Sequence, residues 1–177
     1  HQLIVPVERM RPEPLYRLFC RLREHHGLRV VPADSRESLR ELLDALKRNE
    51  IVMFLADRYV DGGSVAVPFF GAPARLPTAP LALALRSGAP VVTAYSWRTG
   101  PGTQHGVFIP LDLSAALPPT IAQAATTRAG GAPATTRARG SETTARAIRV
   151  FLDDLERQIA AHPDQWVAAL SPVWEAS

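Results

Sequence analysis

The sequence predicts an α/β protein, with a mostly parallel central sheet flanked by helices. Short apolar runs at Leu3–Val7, Leu28–Val31 and Ile51–Leu55 have the length and near-uniform hydrophobicity of buried strands. Segments with helical spacing separate them, and short connections in the order β-α-β-α-β imply parallel strands with right-handed crossovers. A length of 177 residues, 46% hydrophobic and 21% charged, supplies one domain with a substantial core.

Taken in order, Leu3–Val7 ends in the charged pair Glu8-Arg9. Pro12 suits a first helical turn, and Leu15, Leu18, Phe19 and Leu22 then recur on one face, with Gly27 as the stop. The second strand stops at Pro32. Asp34 or Ser35 can cap the next helix, with Glu37 completing a capping-box spacing from Asp34. Its stripe is Leu39, Leu42, Leu43 and Leu46, and Lys47-Arg48 suit the negative end of its dipole. After Ile51–Leu55 come Asp57-Arg58, the Gly62-Gly63 turn and the run Val65–Phe70. Arg75 follows as the sole charge of a loop bracketed by Pro73, Pro77 and Pro80. A fourth helix–strand unit is expected at about Thr78–Ser87 and Pro90–Trp97. A further strand at Val107–Leu111 follows the turn-forming Thr99-Gly100-Pro101-Gly102.

From about Leu117 to Thr144 the composition shifts to Ala, Thr, Gly, Pro and Arg, and Ala-Thr-Thr-Arg occurs at both Ala125 and Ala134. Large apolar residues are scarce there, so a mobile low-complexity loop is expected. A last helix, about Ser141 to Ala161, carries Ile148, Leu152, Leu155 and Ile159 on one face, ahead of His162-Pro163 and the closing tryptophans.

The formal charge of +3, from 20 basic and 17 acidic residues, is too small to argue for nucleic acid, and no nucleic-acid partner is expected. Basicity comes from arginine, since Lys47 is the only lysine; bidentate phosphate binding and GC-rich coding bias both produce that composition. With Cys20 the only cysteine, a disulfide framework and a cysteine zinc site are excluded. No apolar run approaches the ~20 residues of a membrane-spanning helix. The N-terminus lacks a signal-peptide layout and an initiator Met, and reads as a strand already under way.

Charged residues at the carboxyl ends of strands in an open α/β sheet are where ligands sit. Asp57-Arg58 is accordingly the leading pair: Asp57 can orient an imidazole and stabilise its cation, or the two form a strand-end salt bridge. Glu8 and Arg9 occupy the equivalent edge and are either ligand-facing or solvated. Phe69-Phe70-Gly71 walls an acyl or sugar pocket, or forms plain aromatic core. Arg75 binds phosphate or nothing specific. His25-His26 ends a helix with no metal spacing, and His105 and His162 lack partners. Walker A, Gly-x-Gly-x-x-Gly and Gly-x-Ser-x-Gly are absent from the sequence.

Four blocks in order resemble the bacterial lipid A biosynthesis acyltransferase (lysophospholipid acyltransferase-like) family, in particular its phosphatidylinositol mannoside branch. They are Leu55–Arg58, Val65–Pro77, Leu81–Ala89 and His162–Trp174, supported by Val7-Glu8-Arg9 with Pro12–Tyr16 and by Leu22-Arg23-Glu24. The resemblance implies transfer of an acyl chain from acyl-CoA, as co-substrate, to a sugar hydroxyl of a membrane glycolipid, phosphatidylinositol mannoside or a lipid A-type acceptor. It implies no metal or other cofactor, and peripheral attachment at the inner (cytoplasmic) face of the cell membrane. Asp57 is the implied support of the catalytic base. Glu8, Arg23, Arg58, Phe69, Phe70 and Arg75 are the implied substrate-binding residues. The family's base is a His in His-x-x-x-x-Asp/Glu, and none of the five histidines here has an acid five positions later. The expectation is therefore a C-terminal portion of one acyltransferase domain, inactive alone, either a fragment of an active enzyme or a lipid-binding remnant.

Overall fold

The computed structural model describes residues 1–33, 36–57, 63–117 and 137–166, and the chain forms two compact units, His1–Leu55 and Ala56–Ser177. In the first, the alternation of strand and helix holds as the sequence predicts. Strands β1 (Leu3–Val7), β2 (Leu28–Pro32) and β3 (Ile51–Val52) alternate with helices α1 (Glu13–His25) and α2 (Arg36–Lys47). All pairings are parallel in the order β2-β1-β3, with Leu3 opposite both Leu28 and Ile51. The expected third strand is cut to two residues; Met53 N–H still donates to the Ile4 carbonyl at 2.8 Å, and pairing stops there.

Pro12 is the N-cap of helix α1 and its carbonyl accepts from Leu15 and Tyr16 N–H, so Pro14 rather than Pro12 lies in the first turn. It ends as predicted, with Gly27 in the left-handed region at φ +79°, where a side chain would be strained. The two helices bury their stripes unequally. Leu42 and Ala45 of α2 join Ile4, Val5, Val7 and Val31 in the core of the unit. Leu39 stays exposed, and so does the whole stripe of α1, Leu15, Leu18, Phe19 and Leu22. A unit of this size encloses little volume relative to its surface, and α1 packs chiefly along β2. The Asp34/Ser35 cap lies outside the described residues.

The second unit departs from the expected parallel continuation. The run Val65–Phe70 is a strand, β4 (Ser64–Phe69), and the loop expected around Arg75 is its antiparallel partner β5 (Ala72–Pro77). The reason is period-two burial: Val67 and Phe69 point inward with Ala74 and Leu76, whereas Ala66, Pro68, Pro73 and Arg75 point outward. Helix α3 (Ala79–Ser87) follows as predicted. The expected fourth strand is β6 (Val91–Gly100), but it pairs antiparallel with β7 (Thr103–Leu111). The two-residue link Pro101-Gly102 accounts for this, being far shorter than the dozen or more residues a parallel crossover needs. The architecture is thus mixed α/β: one parallel sheet of three strands and two antiparallel hairpins.

Helix α4 (Arg137–Ala161) starts earlier than predicted, so residues 137–144 of the expected loop are helical. Residues 118–136 of that loop lie outside the described residues. Ile148, Leu152, Leu155 and Ile159 of α4 form one buried face, as their spacing predicts. They pack on Val67, Phe69, Ala74 and Leu76 of the first hairpin and Leu81 of α3. Asp154 is only 2% exposed on the same helix. Its Oδ2 accepts from Thr93 Oγ1 at 2.8 Å and Tyr95 OH at 2.9 Å, tying α4 to β6. Burial and the adjacent carboxylate push the Tyr95 phenol well above its ordinary value. The turn Pro163–Gln165 then brings His162 onto Trp97, rings stacked at 4.2 Å, and Trp166 edge-on to Phe69 at 5.7 Å. Among the described residues no helix is long and apolar enough to cross a membrane.

Asp154→Ala leaves the Tyr95 hydroxyl without its acceptor and Thr93 with the Ile109 carbonyl alone, and the expected cost is about 2–4 kcal/mol in urea unfolding. A loss below about 0.5 kcal/mol would show that the contact does not hold β6 in place.

Candidate functional site

The Phe-Phe-Gly segment forms the tip of the β4–β5 hairpin. Phe69 pairs with Ala72, so Phe70 and Gly71 are the two central turn residues, with φ +48° and +77°. Two positive φ values are what a type I′ turn requires, and its right-handed twist matches the strands it joins. Gly71 takes its position freely. Phe70 does not, because an aromatic side chain in the left-handed region is strained.

The two rings part company at this turn. Phe69 is fully buried, and Phe70 remains 46% exposed against it, ring centroids 4.9 Å apart. Phe69 is therefore core, and Phe70 is the ring presented at the surface. The Phe70 N–H donates to Glu156 Oε1 of α4 at 2.6 Å. On the outward face, exposed Ala66, Pro68 and Pro73 surround Arg75, whose Nε donates to Ser64 Oγ at 3.0 Å. Thr78 closes the base of the hairpin, its N–H on the Gly63 carbonyl at 3.1 Å. The surface offers an apolar tip and, within these strands, one cation.

The remaining candidates are distributed over both units. Glu8 is half-buried just beyond β1, next in the sheet to β3. Arg23 is half-buried in the last turn of α1, donating to the Phe19 carbonyl at 3.1 Å with its guanidinium 5.9 Å from the Phe19 ring. Asp57 is half-buried, but β3 ends at Val52, so it lies in the connecting segment instead of directly at a strand terminus. Arg58 lies outside the described residues, and with it the alternative of an Asp57–Arg58 salt bridge. No group of three or more His, Cys, Asp or Glu among the described residues is placed to hold a metal.

Sequence reasoning missed Glu156 and Asp154. Both are interleaved with the apolar stripe of α4, Ile148, Leu152, Leu155 and Ile159. No signal local to Phe70 could have found Glu156, whose contact spans 86 residues of sequence.

The family model of the bacterial lipid A biosynthesis acyltransferases matches residues 2–174. The chain belongs to that family. It is 30% identical over 171 residues to the phosphatidylinositol mannoside acyltransferase of Mycobacterium tuberculosis (strain CDC 1551 / Oshkosh), covering 96% of this chain and 46% of that protein. The enzyme of the same name from Mycolicibacterium smegmatis is 34% identical over 123 residues, 68% of this chain and 40% of its own length. The chain spans about half the length, or less, of the curated relatives it matches.

The two aromatic neighbours give opposite expectations. Phe69→Ala should cost about 3–5 kcal/mol in urea unfolding, and Phe70→Ala less than about 1 kcal/mol. Equal losses would place both rings in the core and remove Phe70 from the site.

Proposed function

We propose that this protein takes part in transfer of a fatty acyl chain from acyl-CoA to a sugar hydroxyl of a membrane glycolipid, with a phosphatidylinositol mannoside as the acceptor. The observation that carries the reading is the family match along almost the whole chain, together with relatives named as phosphatidylinositol mannoside acyltransferases. The surface of the β4–β5 hairpin supports it, since an apolar tip and a cation further along the same hairpin, opposite Ala66, suit a ligand that combines a fatty chain with phosphate.

In such a transfer the acceptor oxygen attacks the thioester carbonyl. The C–O ester bond forms, the C–S bond breaks, and CoA leaves as the thiol, taking up a proton equivalent to the one the hydroxyl loses. A base for that hydroxyl contributes about 10²–10⁴-fold. Asp57 is the residue we assign to orient and charge-stabilise it. Glu8, Arg23, Arg58, Phe69, Phe70 and Arg75 are the residues we assign to substrate binding. Work at the cytoplasmic face of the membrane, attached peripherally, fits these substrates.

One observation favours a second reading. None of the five histidines has an acid five positions later, so the 177 residues by themselves suit lipid binding without turnover. A lipid A-type acceptor in place of the mannoside is the alternative within the enzyme reading.

Purified from its source cells, the protein is expected to release CoA from acyl-CoA and to acylate a mannosylated phosphoinositide. Asp57→Ala should lower that rate about 10²–10⁴-fold with the circular dichroism unchanged. A near-normal rate would remove Asp57 from the chemistry. Lipid binding without CoA release would replace the enzyme by the binding module.

A further inference from the structure

Phe70 is an anomaly in three respects. It is a bulky residue held at φ +48°, in a turn position that favours Asn, Asp or Gly. Its ring remains 46% exposed while its neighbour Phe69 is fully buried. Its N–H, which on an exposed turn would ordinarily bond to water, donates at 2.6 Å to Glu156, 86 residues further along the chain. A bond to a carboxylate is stronger than one to a neutral acceptor. Stability alone would be better served by Asn at this position. Strain maintained by a dedicated partner, with an apolar ring left facing outward, is the pattern of a ligand contact.

We infer that Glu156 is a positioning residue for substrate: by accepting the Phe70 N–H it holds that ring out of the core, where it receives the fatty acyl chain. The inference rests on the acyl-transfer reading above. The hairpin suits such a ligand, because Ala66, Pro68 and Pro73 are exposed apolar residues on its outward face and Arg75 supplies the one cation of the two strands. An acyl thioester of CoA brings a long apolar chain and phosphates to the same place. The bond from Glu156 goes to the backbone of the turn, so its effect on the ligand passes through Phe70.

The test compares binding of hexadecanoyl-CoA and of CoA to the full chain by titration calorimetry, with melting temperatures measured alongside. Phe70→Asn relieves the turn, so the melting temperature should hold or rise while hexadecanoyl-CoA binding weakens about tenfold and CoA binding does not change. Glu156→Ala should weaken hexadecanoyl-CoA binding to a similar degree. Glu156→Gln, which keeps an acceptor oxygen, should restore it. The double variant Phe70→Asn/Glu156→Ala should be no weaker than Phe70→Asn alone, since both act on one contact. If Glu156→Ala lowers the melting temperature and leaves the affinity intact, Glu156 is merely structural and the inference fails while acyl transfer stands. If the unaltered chain binds hexadecanoyl-CoA no more tightly than CoA, the inference and the acyl-transfer reading fall together.

Discussion

The apolar face of α4 is the constraint on which the second unit depends. Ile148, Leu152, Leu155 and Ile159 take the inward side chains of the β4–β5 hairpin and of α3, while Val91, Tyr95 and Leu111 of the other hairpin pack against the same cluster. A two-stranded hairpin alone is marginal in water, so each owes its order to this helix. Two carboxylates interleaved with the stripe add direction to burial. Asp154 accepts from Thr93 and Tyr95 on β6, and Glu156 accepts from Phe70 at the tip of the first hairpin. Burial fixes which faces meet, and the carboxylates fix how far along the helix each hairpin sits.

What was legible in the sequence follows from the range of the forces concerned. The parallel unit is written in local terms: uniform apolar runs, a glycine stop at Gly27, and leucines at helical spacing. The same holds for the face of α4, where a 3.6-residue period survives the surrounding charge. The hairpins were harder. Val65–Phe70 reads as an apolar run whatever it pairs with, and the prolines around Arg75 suggest a loop, although β5 accommodates Pro73 and Pro77 without losing its pairing. Nothing within a few residues of Phe70 announces Glu156, because that contact exists only once α4 is packed.

The candidate residues differ in the same way. Phe69 and Phe70 are adjacent and chemically identical, and only the turn between β4 and β5 separates a core ring from a presented one. Asp57 was selected by its position after an apolar strand; pairing ends at Val52, so the connecting segment rather than the strand governs its orientation. The block beginning His162-Pro163 is another instance. Its His162 stacks on Trp97 and its Trp166 packs edge-on against Phe69, so both of its described rings contribute to packing between the end of α4 and the two hairpins.

The central claim is that the tip of the β4–β5 hairpin receives the acyl chain of an acyl thioester. Photoaffinity labelling tests it most directly, using an acyl-CoA with a diazirine near the end of its chain and mapping the adduct by mass spectrometry. The account predicts labelling within Ser64–Pro77, centred on Phe70-Gly71 and suppressed by excess unlabelled acyl-CoA. Label found only elsewhere in the chain, or label that excess ligand does not displace, would contradict it.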